Sequence, residues 1–201
     1  MKRLRIYIDT SAIGYLDENG HLEVAPSLGY AARLREYDAM GNVIRESYAG
    51  ADGSPAVCIE GYASISRVYD VYGNAIEESY YDVFGGVWVH AKGYVTVKRV
   101  FNEARQVTEE RYFDAAGNLC FSTDGYAGRI MSRDDAGNIL TQWYLDEADQ
   151  PSMGSRGYVG LQSEYDAAKN AIYLAFLDES GAIIAGKDGY AIRRRTYNER
   201  A

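Results

Sequence analysis

A Gly-Tyr pair recurs every 32 residues along this chain, and no insertion interrupts the period. The six pairs are Gly29-Tyr30, Gly61-Tyr62, Gly93-Tyr94, Gly125-Tyr126, Gly157-Tyr158 and Gly189-Tyr190. A constant period of this length is typical of repeat architectures, in which each repeat buries its apolar side against the next one. Stability then accumulates from contacts between neighbours. The sequence therefore predicts one continuous repeat domain.

The phase of the Gly-Tyr pair sets the expected boundaries. Five full repeats occupy residues 29–188, and residues 189–201 begin a sixth. Residues 1–28 are interpreted as an N-terminal capping strand and a partial repeat, in which residues 13–28 carry one extra residue.

Two strong turn signals and one weaker signal punctuate each repeat. The first is Tyr-Asp-x-x-Gly-Asn, as in "YDVYGN" at residues 69–74, and the second follows twelve residues later, as in "YYDVFGG" at 80–86. The weaker signal is an Asp-Gly pair just before the repeated Tyr. Asp suits the first position of a type I turn, and Gly suits the left-handed position that follows. The predicted structural turn residues are Asp38, Gly41, Asp70, Gly73, Asp82, Gly85, Asp114 and Gly117.

Short runs rich in Tyr, Val, Ile, Arg and Glu separate the turns, and their apolar period is nearer two than 3.6. These runs predict an all-β fold: an elongated antiparallel β-hairpin repeat array with about three short strands per repeat. A β-solenoid-like roll is the alternative. Counting outward from the turns gives the expected cross-strand pairs: Arg67 with Glu77, Arg99 with Glu109, and Arg35 with Arg45.

Tyrosine dominates the aromatic residues, with 19 Tyr against 5 Phe and 2 Trp. We expect two separate ladders of rings. One is a candidate aromatic binding ladder formed by Tyr30, Tyr62, Tyr94, Tyr126, Tyr158 and Tyr190. The other contains Tyr48, Tyr80, Tyr112, Tyr144 and Phe176. Such rings either form the core or stack on a sugar or a partner's apolar patch, and the sequence leaves both readings open.

The Tyr-Asp-x-x-Gly-Asn motif resembles the tyrosine-aspartate repeats of Rhs and teneurin-type proteins, whose β-hairpins spiral into large shells. The hairpins are similar, more loosely, to choline- and glucan-binding repeats of bacterial surface proteins. They resemble in particular 32-residue repeats of gut Firmicutes, over residues 13–201. The resemblance implies a bacterial β-hairpin repeat protein. It does not imply the Trp-Tyr cage of choline-binding repeats, because Trp88 and Trp143 occupy different phases.

Charge and hydropathy limit the expected partners and compartment. A net charge of −8 and a pI near 4.8 argue against a nucleic-acid partner. On a strand, the side chains of Arg193 to Arg195 would point to alternating faces of the sheet. This pattern favours a solvated edge strand over a phosphate-binding site. With no apolar run of membrane-spanning length and no signal peptide, we expect a cytoplasmic chain, or a surface-exposed one if it belongs to a longer protein. Self-association through edge strands at residues 2–8 and 189–197 is a further expectation.

Candidate catalytic and metal-binding residues are few. "RIYIDTSAIGYLD" at residues 5–17 resembles the first strand of a PIN-domain nuclease, which would make Asp9 a metal ligand. The aspartates that recur at the turns could be interpreted as calcium ligands. Each turn offers only one carboxylate followed by Gly, however, which favours a role in capping the turn. His21 and His90 are interpreted as exposed strand residues. Cys58 and Cys120 fall at different phases, without metal-ligand or disulfide spacing.

The sequence thus predicts a non-catalytic repeat module without a cofactor, acting as a scaffold or as a binding surface for a protein or glycan partner. A cell-wall or carbohydrate-binding repeat protein is the alternative. A metal-dependent nuclease built around Asp9 is a more remote one.

Overall fold

The computed structural model describes residues 9–197, so the capping strand expected at residues 2–8 lies outside the described part. The chain divides into two compact units, Met1–Val97 and Lys98–Ala201. The division falls inside one strand and inside the third repeat, so it does not follow the 32-residue period. The described residues form twelve β-strands and one short 3-10 helix, Gly154–Arg156. The predicted all-β hairpin array is therefore confirmed.

Strand order equals chain order, and the recorded pairings are antiparallel. The strands of the N-terminal unit are β1 (Asp9–Gly14), β2 (Ala32–Tyr37), β3 (Val43–Ala49), β4 (Ser64–Tyr69) and β5 (Ala75–Tyr81). Strand β6 (Thr96–Phe101) contains the division between the units. The strands of the C-terminal unit are β7 (Val107–Phe113), β8 (Gly128–Arg133), β9 (Ile139–Leu145), β10 (Gly160–Tyr165), β11 (Ala171–Leu177) and β12 (Ile192–Arg194).

The third strand expected in each repeat is reduced to a single bridge. The bridged pairs are Ala49 with Pro55, Tyr81 with Val87, Phe113 with Leu119, Leu145 with Pro151, and Leu177 with Ile183. Only three residues separate Ser54, at the end of one turn, from Cys58, at the start of the next. Two of the bridge residues are prolines, which cannot donate to a ladder. The segment between the turns is therefore too short for a longer strand, and at Pro55 and Pro151 it also lacks a backbone donor.

The turns repeat one hydrogen-bonding scheme. In the turn at Asp70, the backbone N–H of Asp70 donates to the carbonyl of Asn74 and the N–H of Gly73 donates to the carbonyl of Asp70, at 3.0 and 3.1 Å. The Asp70 Oδ1 atom accepts the N–H groups of Tyr72 and Asn74, both at 2.9 Å. Gly73 has φ of 80°. Turn aspartates thus serve as local caps, because their carboxylates are engaged by the turn itself.

The same scheme holds where the sequence signal is weak. The turns before Tyr62, Tyr94 and Tyr126 start at Cys58, His90 and Ser122 and close with the same pair of backbone hydrogen bonds. Arg105 and Lys169 stand where other repeats carry Gly, yet they keep the left-handed conformation, with φ of 59° and 64°. Those repeats therefore form the same turn and accept the strain of a left-handed side chain.

We expect Gly41→Val to lower the free energy of unfolding by about 1–3 kcal/mol, and Gly41→Asn to lower it clearly less. Gly41 has φ of 85°, and a Cβ added there would meet no heavy atom within 4 Å. Backbone strain alone should therefore separate the variants. Urea unfolding of both proteins checks this, and equal midpoints would show that the left-handed conformation is not what Gly41 supplies.

The register of the hairpins differs by one residue from the expected one. Arg35 faces Glu46, and Arg67 faces Glu78. The cause is a β-bulge after the turn: Glu36 pairs with Arg45 but Tyr37 pairs with Val43, which leaves one extra residue in the second strand.

The remaining expected pairs change in the same way. Arg99 donates from Nε to Glu110 Oε1 at 3.0 Å, so its partner is Glu110 and not Glu109. The like-charged pair of Arg35 with Arg45 does not form, and the first repeat follows the same rule as its neighbours.

Candidate binding surfaces

The two expected tyrosine ladders merge into one stack. In the N-terminal unit the ring centroids of Tyr30 and Tyr48 lie 4.5 Å apart, those of Tyr48 and Tyr62 5.9 Å, and those of Tyr62 and Tyr80 5.0 Å. Tyr94 follows at 6.3 Å from Tyr80. The rings alternate because the second strand of each hairpin lies between the first strands of successive hairpins. These five rings are 6–7% exposed, so the stack is the core of this unit.

The C-terminal unit contains a stack of the same kind. Its rings, with neighbouring centroids 4.4–6.0 Å apart, are Tyr112, Tyr126, Tyr144, Tyr158, Phe176 and Tyr190. Burial raises the pKa of Tyr144 to about 12. Tyr158 is half-buried, and only Tyr190, at the end of the stack, is exposed, at 36%. The candidate binding ladder therefore supplies core side chains, with little ring surface left for a ligand.

Part-buried ion pairs link neighbouring strands on the sheet face that carries the tyrosine stack. Glu46 accepts hydrogen bonds from Arg35 Nε at 2.5 Å and from the Tyr48 hydroxyl at 2.9 Å. Burial by itself would raise the pKa of the Glu46 carboxyl. The hydrogen bonds from Arg35 and Tyr48, together with the charges of Arg35 and Arg33, lower it below its ordinary value. Glu46 is thus an ionised cross-link between strands.

Glu110 repeats this arrangement in the C-terminal unit. It accepts hydrogen bonds from Arg99 Nε at 3.0 Å and from Arg129 Nε at 2.7 Å. Burial would raise the pKa of the Glu110 carboxyl, but the charge of Arg129 and the hydrogen bonds from both arginines lower it. A carboxylate held between two guanidinium groups is a poor proton acceptor for catalysis.

His90 is a turn residue among aromatic rings, and not an exposed strand residue as the sequence suggested. Its ring lies 4.9 Å from Tyr80, 5.2 Å from Tyr94 and 6.1 Å from Trp88, measured between centroids. The Nδ1 atom accepts the backbone N–H of Lys92 at 3.1 Å. His90 occupies the first position of its turn, where most turns of the chain carry Asp, so its ring is directed into the stack.

We expect the stability of the protein to decrease as the pH falls below about 6.5, in part through His90. Burial lowers the pKa of His90, against the opposing charges of Glu60 and Glu78 and with the help of Lys92. The pKa of His90 is lower in the folded state than in the unfolded state. Its contribution to the stability of the fold is therefore complete above the pKa of the unfolded state. It is lost as the pH falls through the folded value.

Melting temperatures of the natural protein and of His90→Asn, measured between pH 7.5 and 5.5, check this expectation. Asn can accept the Lys92 N–H but does not titrate, so its melting temperature should fall less over this range. Parallel curves would show that His90 does not contribute.

The other candidate residues are placed as follows. Asp9 is the first residue of β1. Among residues 9–197, no three His, Cys, Asp or Glu side chains lie together as a metal site requires. His21 is exposed, and its Nδ1 atom lies 3.5 Å from Oδ2 of Asp17. Cys58 is buried and Cys120 half-buried, both as free thiols. Arg193 and Arg194 lie in β12.

A row of exposed apolar side chains follows the second turn of each repeat. In the N-terminal unit this outer row consists of Leu22, Val24, Val57, Val87 and Val89, whose exposed fractions range from 38% to 58%. Trp88, which lies between Val87 and Val89, points inward, and its ring is 5.9 Å from that of Tyr62. The segment thus covers the tyrosine stack with one side and presents apolar side chains to solvent with the other.

The C-terminal unit has its own outer row. At the phase of Val89 it exposes Phe121 and Met153, and at the phase of Val87 it exposes Ile183, by 43–48%. The sequence carried a signal for both rows that was missed: apolar residues alternate with others in the few positions between the second and third turns. A short alternating segment with a single bridge has solvent on one side, so its outward residues remain uncovered.

Comparison with models of known protein families gives no match, and no curated protein matches the chain. Within residues 9–197, no helix has the length and apolar character needed to cross a bilayer.

Proposed function

We propose that the chain is a non-catalytic repeat module that binds a protein partner through its outer row. The observation that carries this proposal is the recurrence of exposed aliphatic side chains at one phase of the repeat, such as Val57 and Val89 in the N-terminal unit. Apolar side chains exposed singly need no explanation, but a contiguous apolar patch marks an interaction surface. A repeat that keeps such side chains exposed at one phase presents an extended surface of this kind.

The chemistry of the row favours a polypeptide over a glycan. Sugar recognition by stacking needs exposed aromatic faces, and the stacked tyrosines of the N-terminal unit are 6–7% exposed. The row of that unit is aliphatic, which suits the apolar core of a protein–protein interface.

The engagement of polar side chains in the fold supports a non-catalytic role. Arginines hold the carboxylates of Glu46 and Glu110, backbone N–H groups of the turn hold that of Asp70, and His90 Nδ1 accepts the N–H of Lys92. General acid–base catalysis needs a group that is free to exchange a proton with a substrate. These groups instead serve the turns and the sheet.

A site-specific photo-crosslink tests the proposal. A photoreactive amino acid is introduced at Val89, and in a control at Val71, in cells that make the protein. Val71 is the same residue type and is 77% exposed, but it lies at a hairpin tip off the outer row. We expect Val89 to crosslink to one discrete protein and Val71 not to do so. That protein is then identified and purified, and its dissociation constant is measured.

The decisive comparison uses matched serine variants. Replacing Val57 and Val89 together by Ser should weaken binding of the purified partner by about tenfold or more, since buried apolar anchors carry most of the energy of an interface. Val71→Ser should leave it unchanged. Equal binding by both variants, or crosslinks to glycan alone, would overturn the proposal.

A further inference from the structure

The N-terminal unit has a cleft on the sheet face opposite the tyrosine stack. Its volume is about 250 Å³, and strands β3 and β4 supply Ser47, Ala49 and Ser64 to it. Two turns wall it, with Gly53 on one side and Gly85 on the other. Small-molecule pockets usually measure roughly 300–1,000 Å³, so this cleft suits a single side chain or a small ring.

The C-terminal unit shows what occupies the equivalent space. Adding 96 residues, three full periods, converts Ser47, Ser64 and Gly85 into Trp143, Gly160 and Gly181. The indole of Trp143 covers Gly160, because a Cβ at Gly160 would lie 2.8 Å from Trp143 Cε3. It also reaches the turn at Gly181, where the distance from a Cβ to Trp143 Cη2 would be 3.8 Å. In that unit a tryptophan ring of the chain itself therefore lies where the cleft would be.

Two serines leave this space open in the N-terminal unit. Ser47 carries one hydroxyl where the equivalent position carries an indole, and Ser64 adds only a small side chain where the equivalent position has Gly. An incoming ring must lie farther from β4 than Trp143 lies from β10, since Ser64 has a Cβ. The turn at Gly85 leaves room for this, because nothing lies within 4 Å of a Cβ added there.

Polar groups at the cleft match an indole. An indole has one N–H donor and no acceptor, so a buried indole needs an acceptor nearby. Ser64 is 4% exposed, and its hydroxyl oxygen accepts a hydrogen bond from Arg45 Nη2 at 3.4 Å. A hydroxyl oxygen has a second lone pair that can accept another hydrogen bond. Arg45 is itself exposed, and a guanidinium group packs well over an aromatic face.

We propose that this cleft binds the indole side chain of a tryptophan in an extended segment of a partner polypeptide. A second groove of about 370 Å³ shares Leu34 and Ser47 with the cleft and continues over residues 10–12 of β1. Residues that flank the tryptophan in a peptide have room there, whereas free indole would leave that groove empty. The inference rests on the proposed function only in taking the partner to be a polypeptide, because the cleft and the outer row share no residue.

Peptide titration followed by nuclear magnetic resonance tests the proposal on the full chain. The probes are an acetylated and amidated pentapeptide with Trp between pairs of Ala, the same peptide with Ala in place of Trp, and free indole. We expect the Trp peptide to shift the amide signals of Ser47, Ser64 and Gly85, and the Ala peptide to bind at least about tenfold more weakly. Free indole should bind more weakly than the Trp peptide. Equal binding of both would assign the cleft to a small aromatic ligand and overturn the polypeptide proposal.

Variants that fill the cleft provide the second arm. Replacing Ser47 by Trp and Ser64 by Gly copies the pair of the C-terminal unit and should abolish the peptide-induced shifts. If the double variant does not fold, Ser47→Leu takes its place: it fills the cleft in part and should weaken peptide binding. Replacing Val57 and Val89 by Ser should leave peptide binding intact, so a failure of the outer-row proposal is distinguishable from a failure here. Unchanged binding after the cleft is filled, with circular dichroism showing an intact fold, would overturn the proposal.

Discussion

Tyr48→Ala should lower the free energy of unfolding by about 3–5 kcal/mol, as do other truncations of large buried aromatic residues. Tyr48 is 6% exposed and lies between Tyr30 and Tyr62, with ring centroids 4.5 and 5.9 Å away. Its removal opens a cavity inside the stack and separates two rings that would otherwise remain in series. The loss is large relative to the roughly 5–15 kcal/mol by which natural proteins are stable.

Two further tyrosine variants make this result specific. Tyr72→Ala removes a ring of the same size that is 75% exposed at a hairpin tip, and we expect a change within about 0.5 kcal/mol. Tyr48→Phe keeps the ring and removes only the hydroxyl that donates to Glu46 at 2.9 Å, which should cost about 1 kcal/mol. Urea unfolding of the three proteins gives the comparison. Similar losses for Tyr48→Ala and Tyr72→Ala would show that the stack is not the core.

The features that could be predicted from the sequence are local ones. A turn such as residues 70–74 needs an Asp to accept two backbone N–H groups and a Gly with positive φ, and both are visible in the chain. The alternation between turns identifies strands for the same reason, because it needs only neighbouring positions. Repetition at a constant period made each local signal appear several times, which strengthened the prediction.

The features that could not be predicted depend on distances between segments. The bulge between Glu36 and Tyr37 adds one residue to the second strand, and a count from the turn alone cannot show it. Tyr30 and Tyr48 were placed in separate ladders because they lie at different phases of the repeat. Their rings meet only once the strands of successive hairpins alternate in space.

The candidate surfaces show the same limit. The sequence left open whether the tyrosines form the core or a binding surface. The stacked rings of the N-terminal unit are buried, and its outer row consists of aliphatic side chains such as Val57 and Val89. The cleft at Ser47 is invisible in the sequence, because two serines in a strand carry no signal. It is recognised only beside Trp143, which fills the equivalent space.

Removing one complete repeat should leave the chain folded, whereas removing half a repeat should not. Deletion of residues 61–92 joins Glu60 to Gly93 and brings Tyr48 next to Tyr94 in place of Tyr62. The strand that then faces β3 offers similar side chains at each position, since Thr96, Val97 and Arg99 replace Ser64, Ile65 and Arg67. Contacts between neighbours are thus preserved in kind, and their number falls by one repeat.

Deletion of residues 61–76 removes half as many residues but should be far more damaging. It joins Glu60 to Glu77 and removes the Gly-Tyr turn together with β4. Tyr80 then occupies the phase of Ser64, on the sheet face opposite Tyr48, so the stack is interrupted and its rings are left in solvent. A domain with one conventional core would be unfolded by either deletion.

Thermal melts of the two deletion variants, followed by circular dichroism, test most directly whether stacking of neighbouring repeats carries the fold. We expect a cooperative β-sheet melt for the variant that lacks residues 61–92, at a modestly lower temperature than for the intact chain. We expect no cooperative melt for the variant that lacks residues 61–76. If the deletion of a complete repeat unfolds the chain, or if both variants melt alike, the fold does not rest on repeat stacking.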